Sequence, residues 1–210
     1  MIRYYWDIEQ GTDAWHDARR SRVTASVVKS LLTGKTLKIA SNETVRTLAY
    51  EFAAQRETGR TEENFQNYHM MRGHLEEELA RDVYNDKHFE VKQCGFITND
   101  KHDITIGYSP DGLVDDDGLI EIKSCIQKLQ VKRIIENIVP SEFMLQIQTG
   151  LYVSEREWCD FISYSNGMPL FVKRVYPDKD VHAKIVDATQ EFYARVNDVQ
   201  ESYRELSSRS

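Results

Sequence analysis

The stretch from Ser109 to Cys125, SPDGLVDDDGLIEIKSC, constrains this chain more than any other segment. Gly118 to Ser124 alternates as a strand does, Asp115 to Gly118 is a turn-forming run, and Ile104 to Tyr108 reads as the other strand of the hairpin. Side chains two apart on a strand share a face. Glu121 and Lys123 therefore point to one side, while Ile120 and Ile122 point to the other, into a helix-covered core. Asp111, just past the first strand, is expected to bend back toward Glu121. Two carboxylates meeting there, helped by a backbone carbonyl, offer the hard oxygen ligands that Mg2+ prefers and leave positions for water and phosphate oxygens. Lys123 adds a point charge on a flexible stem, suited to orienting a water and balancing a pentavalent transition state. The alternative is a solvated acidic turn, since short acidic-x-Lys patterns arise by chance. Apolar strands on both sides of these residues weigh against it, because half-buried charge is costly without a metal or a partner.

Two further segments carry chemistry of their own. Thr24 is a plausible helix N-cap, so the amides of the next turn and the Ser26 hydroxyl would face an anion, with Arg19 able to add a bidentate phosphate contact. In the helix predicted over Met70 to Tyr84, Met71, Leu75, Leu79 and Val83 form one apolar stripe. Gly73, Glu77, Ala80 and Tyr84 form a second strip. Small residues in that strip would let the helix approach the sheet and bring Glu77 toward the metal; Glu76 is the fallback, and a solvated acidic face is the bland reading. Trp15 reads as a packing anchor and His16 as a surface residue.

These segments together resemble the PD-(D/E)xK nuclease superfamily, and more narrowly its lambda-exonuclease-like, YqaJ-type viral recombinase group. Beside Asp111, Glu121 and Lys123, the resemblance rests on three stretches. They are Gln10-Gly11-Thr12 leading to Trp15, Arg19 and Thr24-Ala25-Ser26; Gly73 with Glu77, Ala80 and Tyr84; and Gln146-x-Gln148. The resemblance implies a restriction-endonuclease-like α/β (α+β) core, a central mixed β-sheet flanked by helices. It implies a Mg2+ site, with Mn2+ as an alternative and two ions in all, held by Asp111, Glu121, the Ile122 carbonyl and Glu77, beside the catalytic Lys123. Arg19, Ser26 and Gln146 match residues that hold a 5'-terminal phosphate. The implied activity is 5'-to-3' digestion of one strand at linear double-stranded DNA ends by a ring-shaped homotrimer. The 3' overhangs would go to a single-strand annealing protein in phage-type recombination. The chain departs from the family pattern at Ser21, where a glycine is frequent, and Arg22 adds a further basic residue; that leaves Arg20 and Arg22 as rivals of Arg19. An endonuclease of the same superfamily and an inactive DNA-binding or assembly module are the competing readings.

Composition sets the outer limits. With 210 residues, 40% of them hydrophobic, the chain can bury a full core and reads as one nuclease domain. It comprises a helical region to about residue 87, with a helix over Asn42 to Thr58 ending before Gly59 and a polar, mobile loop over Glu57 to Asn67; a sheet core to about 178, opening with a strand over His88 to Thr98; and a tail helix to about 206. MIRYYWDIEQ is neither a signal sequence nor a membrane span, so a cytoplasmic place, in a bacterial host of phage or prophage, is expected. The three cysteines, Cys94, Cys125 and Cys159, are far apart without CxxC pairing and read as reduced structural residues. A net charge of -7 argues against nucleic acid as a sum. Its distribution does not: basic residues gather at Arg19, Arg20, Arg22 and Lys29 and at Lys123, Lys128, Lys132 and Arg133.

Overall fold

The computed structural model describes residues 1–34, 36–62 and 68–209, and of residues 68–72 and 74 the backbone alone. The chain opens with strand β1 (Ile2–Tyr5), helix α1 (Asp13–Arg19), the short strand β2 (Val23–Thr24) and helix α2 (Ala25–Leu31). Helices α3 (Glu43–Thr58) and α4 (Tyr68–Lys87) follow. Strands β3 (Val91–Lys92), β4 (Phe96–Asn99), β5 (Ile106–Tyr108), β6 (Gly112–Val114) and β7 (Gly118–Ser124) come next. Helices α5 (Gln127–Glu136) and α6 (Ser141–Ser154), strands β8 (Trp158–Tyr164) and β9 (Phe171–Val175), and helix α7 (Lys179–Ser207) complete it. Caps set several of these ends: the Asn42 side chain accepts from Val45 N–H at the start of α3, left-handed Gly59 closes that helix, and Asp178 caps α7.

Among the described residues the strands form two sheets, one four-stranded in the order β1-β4-β5-β2 and one five-stranded in the order β3-β6-β7-β8-β9. The expected single central sheet is thus divided, and so is the expected run of strand from His88 to Thr98, whose halves enter different sheets as β3 and β4. Ile106–Tyr108 pairs with β4 and β2, not with β7. The hairpin partner of β7 is the short strand β6, with Gly112 opposite Ile120. The alternation of Ile104 to Tyr108 is real but reflects burial in the first sheet. The amino-terminal part, expected to be helical, supplies β1 and β2 to that sheet as well. Of the stretch Glu57 to Asn67, expected as a mobile loop, residues 63–67 lie outside the described residues.

One core cluster joins both sheets to α2, α3, α6 and α7 through residues such as Val28, Phe52, Ile97, Ile106, Leu119, Phe161 and Phe192. A second covers the other face of the five-stranded sheet, where Ala80 and Tyr84 of α4 meet Val114, Ile120, Ile122 and Ile162. The two faces of β7 are therefore divided as period two requires. On α4 it is the Ala80 and Tyr84 strip that packs inward. Leu75 and Leu79 of the other stripe are exposed, and the side chain of Met71 lies outside the described residues. Gly73 is not what permits the approach, since an added Cβ there meets no described atom within 4 Å. Helix α5 inverts the usual pattern: Gln130 and Arg133 are buried while Val131, Ile134 and Ile135 are exposed. Arg133, expected in a basic surface cluster, instead donates to the Ser163 hydroxyl at 2.8 Å. All three cysteines are buried and free. No described helix is long and apolar enough to cross a membrane.

The β6–β7 turn is stapled from below. Arg156, buried, donates through Nη1 to the carbonyls of Val114 and Asp115 at 3.0 Å each and of Gly118 at 2.7 Å. Replacing it leaves buried carbonyls unsatisfied in the hairpin that carries the acidic motif. Arg156→Met is expected to lower unfolding stability by about 2–4 kcal/mol, read as a shift of the urea midpoint.

Candidate active site

Glu121, in the middle of β7, is wholly buried, and its carboxylate is held from three elements. Oε1 accepts from Lys123 Nζ at 2.5 Å on the same strand and from Gln146 Nε2 at 2.6 Å on α6. Oε2 accepts from Tyr108 Oη at 2.8 Å at the end of β5. Tyr108 lies against Gly150 of α6, where a Cβ would come within 2.7 Å of its ring. Burial first, then the Glu121 charge, pushes the Tyr108 hydroxyl well above its ordinary value, so it stays a donor. Burial works to lower the Lys123 pKa, but the charges of Glu121 and Asp111 outweigh it and move it upward, so this lysine is firmly cationic.

Asp111 directly precedes β6 and reaches across to β7, its Oδ2 accepting from Ile122 N–H at 2.6 Å. An extended residue aims its N–H and C=O at the same edge, so the Ile122 carbonyl faces the Asp111 side. Burial, followed by repulsion from Glu121 and Glu77, pushes the Asp111 carboxyl well above the usual range, only partly offset by Lys123 and the Ile122 amide. Glu77 comes from α4 and is bound at Oε1 by Arg81 Nη2 at 2.9 Å. Its charge is felt at both Asp111 and Lys123, whereas Glu76 hydrogen-bonds Ser124. Glu77 is thus the helix glutamate coupled to the strand carboxylates.

On the other side of Asp111 lies a cationic cradle. Arg19, the last residue of α1, donates through Nη1 to Ser109 Oγ at 2.9 Å and through Nη2 to Ser26 Oγ at 3.4 Å. Its guanidinium lies 4.2 Å over the Trp15 ring, and Trp15 Nε1 also donates to Ser109 Oγ at 2.9 Å. Burial lowers the Arg19 pKa to about 10, still a cation at neutral pH. Thr24 stands at the N-cap of α2 but makes no capping bond; its hydroxyl pairs with Ser26 Oγ at 3.0 Å. Ser21 explains why Arg19 and not its neighbours takes this place. Its φ of 52° is the left-handed conformation that glycine adopts freely, held here by Gln55 Oε1 accepting from its amide at 2.8 Å. The turn is therefore kept despite the missing glycine, while Arg20 pairs with Asp17 and Arg22 with the Ala18 carbonyl.

The structure thus gathers Glu77, Asp111, Glu121, Ile122, Lys123 and Gln146 about β7, and joins Arg19, with Ser26, to Ser109, two residues before Asp111. Gln148 is apart, clamping the start of α7 through the Tyr176 carbonyl and the Asp178 amide at 2.8 Å each. Sequence reasoning gave no role to Ser109, Tyr108 or Arg81, and named Gln10 only as part of a motif. Ser109 opens the acidic motif, which is the signal that could have found it. Gln10 donates to the Pro110 carbonyl at 2.8 Å and so fixes the residue before Asp111. A cavity of about 790 Å3 bordered by Tyr152, Pro177 and His182 lies at the far end of α6 and holds none of these groups.

Among the described residues no three His, Cys, Asp or Glu side chains form a ready-made metal cage. The donor set nonetheless fits Mg2+, which binds through one or two carboxylates and keeps waters and substrate oxygens for the rest. Asp111, Glu121 and the Ile122 carbonyl are hard oxygen donors, and a divalent cation would offset both the burial and the repulsion that raise Asp111.

A sequence profile described as the YqaJ-like viral recombinase domain matches residues 14–157. The chain is similar to the crystal structure of an alkaline exonuclease, LHK-Exo, from Laribacter hongkongensis. The two are 30% identical over 94% of this chain and 99% of that one, with a TM-score of 0.80. LHK-Exo in complex with dAMP superposes with a TM-score of 0.81 at the same identity. A phage related exonuclease from Haemophilus somnus 129PT shares the fold at 13% identity, over 87% of this chain and 96% of that one, with a TM-score of 0.61. No curated protein matches the chain.

Asp111 also predicts a pH dependence. A carboxyl raised in the folded state binds a proton that the unfolded chain has released, so its stabilising contribution is present at low pH and lost as pH rises. Asp111→Asn removes that loss and keeps an acceptor for the Ile122 amide. In EDTA the variant should unfold at least about 2–4 °C above the unsubstituted protein at pH 8, the equivalent of about 1 kcal/mol, and the gain should shrink toward pH 4.

Proposed function

The chain belongs to the YqaJ-like viral recombinase family and is a DNA-hydrolysing enzyme of the exonuclease kind, and we propose that it is a Mg2+-dependent 5'-to-3' exonuclease of linear double-stranded DNA. The observation that carries this reading is the adjacency of the two halves of the site. Ser109, shared by Arg19 and Trp15, stands two residues before Asp111, so a phosphate gripped in the cradle lies beside the carboxylates. A grip on a terminal phosphate selects ends over internal positions, which an endonuclease would not require. The complex of LHK-Exo with dAMP is in keeping with a mononucleotide product.

In this reading Asp111, Glu121, the Ile122 carbonyl and Glu77 hold the metal. Mg2+, when bound, supplies Lewis acidity to the scissile phosphate and acidifies a water. Lys123 acts as a fixed positive charge: Glu121 aims its ammonium, which orients the attacking water and offsets the charge that develops on the phosphoryl oxygens. Gln146 steadies Glu121 and, with Arg19 and Ser26, binds the 5'-phosphate. A ring-shaped homotrimer that encloses the duplex, a single-strand annealing protein that receives the 3' overhang, and a place in phage-type recombination in the bacterial cytoplasm complete the proposal.

The test sets linear duplexes with 5'-phosphate or 5'-hydroxyl ends beside closed circular DNA, each with Mg2+. Only the phosphorylated linear DNA should disappear quickly; cutting of the circle would point to an endonuclease, and no cutting anywhere to a binding module. Lys123→Ala should lower kcat by about 10^2–10^3-fold or more while DNA affinity, followed by fluorescence anisotropy in Ca2+, stays within about threefold. Arg19→Ala should instead abolish the preference for the phosphorylated end.

A further inference from the structure

Arg81 lies one helical turn beyond Glu77 on α4, with only 12% of its side chain exposed. Its guanidinium bonds in two directions. Nη2 donates to Glu77 Oε1 at 2.9 Å, and Nε donates to the backbone carbonyl of Asp111 at 3.0 Å. An exposed i,i+4 ion pair would be worth little. This one is largely buried and also crosses to another element, so a single rigid plane touches the residues that bring two carboxylates to the site, Glu77 on α4 and Asp111 just before β6. We propose that Arg81 is a positioning residue that locks the Glu77 carboxylate to the Asp111 backbone and so sets the spacing of the metal site. The inference rests on the nuclease reading.

The surroundings show what the lock joins. The Asp111 carboxylate is fixed from β7 by the Ile122 amide, and the preceding carbonyl by Gln10. Helix α4 is anchored beyond Glu77, where Ala80 is buried and Tyr84 Oη donates to Asp160 Oδ2 at 2.8 Å. Arg81 adds a direct tie from the Glu77 carboxylate to the Asp111 backbone. Lysine could satisfy one of the two directions and not both, since it lacks the planar fork.

Removing groups that orient metal ligands typically weakens metal affinity about 10–100-fold. Mn2+ binding to the DNA-free protein, measured by calorimetry, is therefore expected to weaken about 10–100-fold in Arg81→Met and by an intermediate factor in Arg81→Lys. At saturating Mn2+ the cleavage rate should largely recover, and KM for DNA should stay unchanged. Tyr84→Phe is the control on the same helix: it should lower the unfolding temperature in EDTA and leave Mn2+ affinity as it was. Wild-type Mn2+ affinity in Arg81→Met would overturn the inference. So would losses of affinity that track the fall in unfolding temperature across all three variants, which would make Arg81 merely structural. If the unsubstituted protein takes up no Mn2+, the nuclease reading falls together with this one; if it does and the variants match it, only Arg81 falls.

Discussion

A carboxylate with no exposure to solvent, on the central strand of a sheet, dictates how the rest of this protein is arranged around it. Glu121 could not be buried as an isolated charge, since the cost of removing it from water far exceeds the stability of a domain. Three donors remove that cost, and each comes from a different place: Lys123 from the same strand, Tyr108 from the neighbouring sheet and Gln146 from α6. Satisfying one acidic group thereby forces β5, β7 and α6 to converge. At Gly150 α6 lies directly against the Tyr108 ring, close enough that an added Cβ would come within 2.7 Å of it.

The remaining parts of the site are brought to that fixed point by backbone contacts as much as by side chains. Asp111 is held through its own carboxylate on Ile122, through Gln10 on the carbonyl before it and through Arg81 on its own carbonyl. The cradle is held through Ser109, two residues earlier, which takes bonds from Trp15 and Arg19 at once. Three stretches far apart in the chain, at Gln10 to Arg19, Arg81 and Gln146, thus meet on the residues from Tyr108 to Lys123. A small movement of that segment would disturb the Arg19 cradle and the carboxylates together, and in the proposed function that ties recognition of an end to chemistry at it.

Much of this was legible in the sequence because strands repeat with a period of two. The division of Glu121 and Lys123 from Ile120 and Ile122 follows from it, and both faces are as expected. Helix positions were legible where caps and glycines mark their ends, as at Asn42 and Gly59. The hairpin partner was not, because alternation in Ile104 to Tyr108 signals burial without naming the strand it pairs with. Nor was the buried face of α5. There Gln130 and Arg133 go inward for partners in β8 and the segment that follows it, and hydrophobicity alone points to the opposite side. On α4 the strip of Ala80 and Tyr84 meets the sheet, as its small residues led one to expect. At Ser21 the departure from glycine left the arginine uncertain until a left-handed backbone, held by Gln55, was found in the same place.

The sequence by itself determined the family, and it singled out the candidates for the chemistry: the carboxylates, the lysine two positions on, and the arginine and serine of the cradle. Those depend on local spacing and side-chain type, which the chain states directly. Only the tertiary structure decided which groups hold them in place, namely Tyr108, Ser109, Gln10 and Arg81. Each acts by a hydrogen bond to a residue far away in the chain or on another element, and the direction of such a bond exists only once the two sheets and α4 have come together.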